Sequence, residues 1–510
     1  MEKGYLLGID IGTYESKGVI TDTEGKVVSV QVVPHTIIIP RQGLAEHDPE
    51  NVWWGDFCTL THKLLEATGI KPNEILGVGA SAIGACVVPV DKDCNPLRMG
   101  ILYGVDTRAH LEINELNEKI GKERIFDFSG MVLSAQSIGP KILWLKKNEP
   151  EIYKKAYKFI TASSFLVGKL TGNFFIDHMT AGFTMPLYDL KKNQYSDELS
   201  KEICEIGRLP DLGWCPDIAG KITKKASLET GLAEGTPVII GAVDAVSEAV
   251  SVGVTQPGQV MMMYGSTIII ILVLDKPVTD TQLWCNPYIL PGTYCSIAGM
   301  ATSGSLTRWF RDQAGKDLIA AESAGGANAY SELVKEAIGI PAGSEGLLVL
   351  PYFSGERTPI NDPRARGVFF GMTLSHTRGH LFKAAVEGIG HSIRHNFDFM
   401  KGLNAKISEV VAVGGGTKNP VWLQATSDIC NIPQQVPAVT FGASYGDAFL
   451  AGLGVGTFKS AEDVKGWLKD TKTIEPNPDN YEVYDKYHQI YKDLYKRNAD
   501  LMHDVYDLVE

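Results

Sequence analysis

"LLGIDIGTYESKGVITD" runs from Leu6 to Asp22 and sets the reading of the whole chain. Leu6 to Ile9 reads as a buried strand, Gly12 to Ser16 as a turn, and Lys17 to Thr21 as a returning strand. Asp10 therefore stands where a hairpin bends. Gly12 lets the backbone turn tightly, and successive N–H groups of such a turn can face an anion. The carboxylate beside it either bonds its own turn or holds a cation or that cation's water, and these residues alone leave both open.

Outward from this hairpin, Thr23 to Lys26 turns into "VVSVQVV", so the chain opens as an antiparallel meander. A helix is expected to start at Asp48-Pro49-Glu50, where Asp can cap and Pro fits the first turn, and to carry Val52, Trp53, Phe57 and Leu60. Strand-like "ILGVGASA" and "CVVPVD" follow, then a long helical region from about Asp106 to Lys147. Thr236 to Val254 reads as strand, glycine turn, helix. The opening hairpin is then echoed by "MMMYGSTIIIILVLD", Met261 to Asp275: a strand, a Gly with hydroxyl residues, a returning strand and an Asp. This partial repeat places a domain boundary near residue 246, giving domains 1–246 and 247–510. Further on, a helix is expected from about Arg378 to Phe399. Tyr484, Tyr487, Tyr491 and Leu494, at 3-4-3 spacing near the end, predict a helix face packed on the body.

A chain of 510 residues is too long for one core and fits two domains of roughly 200 to 250 residues. A formal net charge of −12 argues against nucleic acid or an anionic membrane as partner, because both need clustered Lys and Arg. Eight scattered cysteines form no CxxC pair and no zinc spacing, which reads as reduced, mostly buried thiols in a cytoplasmic protein. The most apolar run, Ile268 to Leu274, is too short to span a bilayer, and the N-terminus carries no export pattern. The oligomeric state is left open, with a homodimer as the one assembly expected.

Two Gly-hydroxyl hairpins, one per half, suggest a clamp on a polyphosphate. "AVGGGTKNP" supplies a third glycine turn, in which Gly414-Gly415-Gly416 follows an apolar strand and Asn419-Pro420 opens a helix. Bare backbone there could lie against a flat ring, or the turn could be a tight connection with no ligand. No GxxxxGK[ST] occurs, which excludes a P-loop.

With these segments in hand, the chain resembles the FGGY family of carbohydrate kinases, within the superfamily of sugar kinases, actin and heat-shock-chaperone ATPases. The resemblance covers nearly the whole length. It runs through DxGT at Asp10 to Thr13, "GAVDAVSEAVSVG" from Gly241, "YGST" at Tyr264 to Thr267, "PYFSGERTPINDPRARG" from Pro351 and "GGGTKNPVWLQ" from Gly414. Most specific is "GVFFGMTLSHTRGHLFKAAVE", Gly367 to Glu387, which is similar to the family's long C-terminal signature.

The resemblance implies an α/β fold of two ribonuclease-H-like (actin/hexokinase-type) domains around a central nucleotide and sugar cleft. The N-terminal domain would bind sugar and phosphate, and the C-terminal domain nucleotide. Asp10 would sit near Mg²⁺ and the phosphates, with Gly12, Thr13 and Lys17 beside it, while Gly265, Ser266 and Thr267 would approach the phosphates from the other domain. Ser303, Gly304, Gly414, Gly415, Gly416 and Asn419 would line the ATP. Asp244 would be the catalytic base; on spacing alone it could equally be a helix N-cap. Phosphoryl transfer suits such a set, since it needs backbone donors, a metal and one carboxylate to take the attacking hydroxyl's proton.

The resemblance thins at the sugar site. Members that phosphorylate xylulose commonly show "SGQMHG", whose His contacts the sugar, and ungapped alignment puts "SAIGAC", Ser81 to Cys86, in that place. Ala85 then stands where the His would be, beside Gly84. "ILYGVDTRAH" resembles the family's "WxDxR", with Tyr103 in the Trp place and Asp106 and Arg108 retained as either sugar contact or structural ion pair. "GLAEHDPENVWW" resembles a stretch near the family's sugar cleft, and its Trp residues could be packing or platform. The expected activity is ATP- and Mg²⁺-dependent phosphorylation of a terminal hydroxyl of a small sugar, with a ketopentose such as D-xylulose first and another ketose or polyol as the alternative. A chaperone-like or actin-like ATPase switch and a catalytically silent sugar sensor are the rivals from other classes.

Overall fold

The computed structural model describes residues 4–509. Two compact α/β units share the chain. The first runs up to Gln256 and adds Asp275–Cys295 and Val439–Lys469; the second takes Pro257–Leu274, Ser296–Ala438 and the chain from Asp470 onward. Residue 246, where the repeat placed a boundary, lies inside the helix Asp244–Ser251, which packs in the first unit.

In the first unit the opening meander forms as its pattern dictates. Strands Tyr5–Ile11 and Glu15–Asp22 pair antiparallel with Asp10 opposite Lys17, and Glu15–Asp22 pairs in turn with Val27–Pro34. Tyr5–Ile11 also pairs in parallel with Ile75–Ala82, so that Asp10 lies beside Ser81. Leu7, Ile9 and Ile11 are buried against Trp53, Phe57, Leu60 and Leu64. The helix that supplies these starts where expected. Asp48 caps it by accepting from the Glu50 and Asn51 N–H groups, and its first turn is a π-turn that runs into Gly55–Thr68. Trp53 and Trp54 are buried, which makes them packing residues.

The other face of the sheet is covered from far along the chain. Helix Ala443–Gly454 packs against Tyr5–Ile11, Ile75–Ala82 and Asp244–Ser251. The approach is close: a Cβ on Gly8 would lie 1.9 Å from the Ser444 carbonyl oxygen, and one on Gly446 1.9 Å from that of Ser247. Side chains at either position would push the layers apart. The single long helical region expected from Asp106 to Lys147 is instead three helices, His110–Ile120, Lys122–Ser129 and Ile138–Asn148. Gly121 and Gly130, both at positive φ, break it.

The second unit repeats the hairpin. Gln259–Tyr264 pairs antiparallel with Ile268–Leu274 and in parallel with Glu409–Val413, and the sheet continues through Gln434–Pro437 to Thr471–Ile474. The helix expected from about Arg378 to Phe399 forms as the 25-residue Arg378–Gly402 and packs against helices Pro420–Cys430 and Ala329–Ile338 and strand Leu348–Leu350. Tyr484, Tyr491 and Leu494 of the helix Tyr481–Asp507 are buried. Tyr491 and Leu494 pack among Leu348, Leu350 and Tyr352. All eight cysteines are unpaired, and six of them are buried. Among the described residues no helix is long and apolar enough to cross a membrane.

Candidate active site

The first unit gathers four carboxyls. Asp10 ends near the turn of its hairpin, and Asp244 is the first residue of its helix; the residue in the cap position is Val243, so Asp244 is not an N-cap. Asp244 Oδ1 accepts the Ala245 N–H at 2.7 Å. Burial, opposed by that hydrogen bond, pushes its carboxyl up to about 6. Asp10 is held well above the ordinary carboxylate range, first by burial, then by Asp244 and Asp447, and further by Glu248, with the Ser81 hydroxyl pulling the other way. Glu248 is raised by burial and restrained by Lys17. Four carboxyls are thus gathered at the end of the sheet where Tyr5–Ile11 and Ile75–Ala82 finish.

The turn beside Asp10 is braced from below. The Thr13 hydroxyl is 3.1 Å from the Tyr103 hydroxyl. His47 accepts from the Trp53 indole N–H at Nδ1 and donates from Nε2 to the Thr13 carbonyl, 3.2 Å away. Burial lowers the His47 imidazole to about 4, which keeps it neutral in that tautomer. His35 Nε2 donates to the Gly12 carbonyl at 3.1 Å, and its Nδ1 meets Asp56 at 2.8 Å.

The sugar-loop residues fall in the same unit. Gly84 lies against Val243, whose Cγ2 would be 2.5 Å from a Cβ there, so the loop abuts the residue preceding Asp244. Ala85 is buried with φ of 52°. Its carbonyl accepts from Lys141 Nζ at 3.2 Å, and the same amine donates to the Leu102 carbonyl at 2.6 Å. Burial lowers the Lys141 ammonium to about 7. Asp106 takes the ion-pair alternative: both its oxygens accept from Arg108 at 2.7 to 3.0 Å, and one also accepts the Ala45 N–H.

In the second unit the Gly265 turn, the Ser303-Gly304 segment and the Gly414 turn converge. The Gly304 N–H donates to the Gly265 carbonyl at 3.0 Å, and the Ser303 and Ser305 N–H groups donate to the Ser266 carbonyl, each at 3.1 Å. Those contacts lock the Gly265-Ser266-Thr267 turn onto the start of helix Gly304–Ala314. Gly414, at φ of 92°, sits against the Tyr264 backbone, and Gly416 against Tyr264 and the Trp422 ring. Beyond Gly415 the space is open. Asn419 uses its Oδ1 to cap helix Pro420–Cys430, accepting from Val421 and Trp422 at 3.1 Å.

Three carboxyls, Glu248 and Asp447 of the first unit and Glu356 of the second, have no counterpart among the expected site residues. Asp447 is fully buried in helix Ala443–Gly454, and burial pushes it up to about 8. A lone Asp inside the small and apolar run "GASYGDAFLAGLG" was the available signal. Glu356, pushed up to about 7 by burial, accepts the Ala301 and Arg357 N–H groups at 2.8 and 2.7 Å. It thereby fixes the strand end that leads into Ser303.

The chain matches, in order, the N-terminal domain of the FGGY family of carbohydrate kinases over residues 5–251 and the C-terminal domain over 260–455. It is 30% identical to a xylulose kinase of Lactococcus lactis, with 98% of each chain covered. It is 27% identical to a gluconokinase of Bacillus subtilis, covering 94% of this chain and 93% of that one. The crystal structure of xylulose kinase from Rhodospirillum rubrum superposes with a TM-score of 0.90 at 27% identity, over 98% of this chain and all of that one. Both domains of the model, in sequence order and within an α/β fold of the same kind, make this chain a member of the FGGY family of carbohydrate kinases, enzymes that phosphorylate sugars with ATP.

Proposed function

We propose that the sugar is a ketopentose, D-xylulose first, phosphorylated on its terminal hydroxyl, with Asp244 as the base. One observation carries the assignment of Asp244: a half-buried carboxyl at the start of a helix, beside the Gly84 loop, that accepts the adjacent Ala245 N–H at Oδ1. Its raised proton affinity lets it take the attacking hydroxyl's proton late in a loose transition state, a contribution of roughly 10²–10⁴-fold. Gly12 and Thr13 would offer backbone N–H groups to the phosphates, and Lys17 a positive charge. In the second unit Gly265, Ser266 and Thr267 would do the same for the nucleotide, whose base and ribose would lie on Ser303, Gly304, Gly414 to Gly416 and Asn419.

Among the described residues no group of three or more His, Cys, Asp or Glu is arranged to hold a metal by itself. That donor set still fits Mg²⁺, which usually takes one or two protein carboxylates and completes its shell with phosphate and water. Asp10 would be the carboxylate, in a cluster whose proton affinities are raised first by burial and then, at Asp10, by the neighbouring acids Asp244, Asp447 and Glu248. When bound, the ion would neutralise phosphate charge. The chain's own part is to orient Asp10 and to hold the proton acceptor.

D-xylulose rests on the relatives named above, and Ala85 favours a second reading. Where xylulose-phosphorylating members carry a His, this loop offers a methyl group, so another ketose, a polyol or gluconate stays open as acceptor. ATP as donor and eight unpaired thiols support work in a reducing cytoplasm. The test is a panel of pentuloses, hexuloses, pentitols, glycerol and gluconate ranked by kcat/KM, with the phosphorylated carbon located by NMR. D-xylulose is expected to lead. A best acceptor phosphorylated at an internal or anomeric hydroxyl would overturn the assignment.

A further inference from the structure

Helix Ala443–Gly454 puts one acid into the interior of the first unit, and that acid touches the neighbours of both candidate catalytic carboxyls. Asp447 Oδ2 accepts the Ser81 N–H at 3.1 Å and the Ser81 hydroxyl at 2.7 Å, and Oδ1 accepts the Ser247 hydroxyl at 2.6 Å. Ser81 is the cross-strand neighbour of Asp10, and its Oγ lies 3.0 Å from Asp10 Oδ1. Ser247 follows Asp244 by three residues, about one helical turn.

We propose that Asp447 is a positioning residue for the transfer reaction: through Ser81 it sets the orientation of Asp10, and through Ser247 it registers the helix that begins at Asp244. Packing alone does not account for an acid here. An apolar side chain would fill the same space without the desolvation cost of a carboxyl, which a buried site offsets only by satisfying every oxygen. All the hydrogen bonds of this carboxyl go to two serines, and each serine is tied to one of the two acids the chemistry needs. The shared Ser81 hydroxyl fixes the distance between Asp447 and Asp10 better than two independent contacts would.

The inference rests on the roles assigned to Asp10 and Asp244, and the test separates the two levels. Asp447→Ala should lower kcat and weaken Mg-ATP binding about tenfold or more, the usual effect of losing a group behind a metal-site carboxylate. Binding is measured by calorimetry without sugar, where no turnover occurs. Asp447→Asn, which keeps volume and hydrogen-bonding capacity, should recover most of the loss. Ser81→Ala should reproduce the Asp447→Ala defect, and the double variant should be no worse than the poorer single one. Should Asp447→Ala fail to fold, Ser81→Ala and Ser247→Ala carry the same expectation separately, the first in Mg-ATP binding and the second in kcat. A variant set that melts lower yet keeps wild-type kcat and Mg-ATP affinity, or that shows additive losses from Ser81 and Asp447, overturns the inference. If Asp244→Asn also keeps full turnover, the underlying assignment falls as well.

Discussion

The two hairpins share a backbone and differ in charge. Each has a three-residue turn, Gly12-Thr13-Tyr14 between Ile11 and Glu15 and Gly265-Ser266-Thr267 between Tyr264 and Ile268. Each leading strand pairs antiparallel with the next strand and in parallel with a distant one. Around the first turn the sequence has added Asp10, Asp244, Glu248 and Asp447. At the second, Met263 holds the place of Asp10 and Tyr264 that of Ile11, the Tyr264 hydroxyl donating to Gln434 at 2.6 Å, and the polar groups at the turn are backbone and hydroxyl. In the proposed reading, a repeated scaffold would supply anion-facing turns twice, while proton transfer and cation holding would fall to one copy. Where carboxyls cluster a metal can be recruited, and where backbone is bare a neutral ring and its phosphates can lie close.

The sharpest way to break this division is Asp244→Asn. It removes the proton acceptor and nothing else of size, so sugar-dependent ADP formation should fall by roughly 10² or more while nucleotide binding persists. Near-wild-type turnover in a coupled assay would place the base elsewhere. The matching change in the second unit is Gly415→Asp, where open space spares the fold and the new charge opposes phosphate. Mg-ATP at about 100 times Kd should stabilise the wild type by roughly 2.7 kcal/mol, and this variant should lose that shift. A full response in a melting experiment would remove the nucleotide from the glycine turn.

Titration sharpens the comparison further. Asp244 must be ionised to act, so kcat/KM should fall about tenfold per pH unit on acidification below its value of about 6. The sign for stability is opposite. The folded state binds this proton more tightly than the unfolded chain does, so the stabilisation is present below the ordinary carboxylate range and is lost as pH rises through about 6. Activity and melting temperature measured together across pH 4.5 to 8, and again on Asp244→Asn, distinguish the two. The smallest expected effect is that of Tyr103→Phe, which removes one hydroxyl contact to Thr13 and should cost about 0.5–1.5 kcal/mol in phosphate affinity or stability. No change in either would make Tyr103 a packing residue only.

What was legible in the sequence is what short-range pattern encodes. The hairpins, the Asp48 cap, the glycine turns and the tyrosine face of the last helix follow from alternation, spacing and turn chemistry within a few residues. Asp447 and Glu356 were not legible, because what makes them matter is contact. Ser81 and Asp447 stand 366 positions apart, and no local periodicity records that separation. The Asp106–Arg108 pair shows an intermediate case. Its two readings were both visible, and only the third partner, the Ala45 N–H from 61 residues away, shows the carboxylate to be fully engaged. From Asp106 onward the composition favours helix throughout and suggests one element, while Gly121 and Gly130, both at positive φ, divide it.

The late return of Val439–Lys469 to the first unit has a consequence for how the protein is made. At about 5–20 residues per second, the 366 positions between Ser81 and Asp447 take roughly 20 to 70 s to synthesise. For that time the strands Tyr5–Ile11 and Ile75–Ala82 wait without their covering helix, although Gly8 and Gly79 already shape the sheet to receive it. The nascent first unit is therefore an incomplete sandwich, with one apolar face open to chaperones and to other copies of itself. A nonsense mutation near residue 440, which spares every residue of the opening meander, should lead to aggregation of that N-terminal half rather than to a folded fragment.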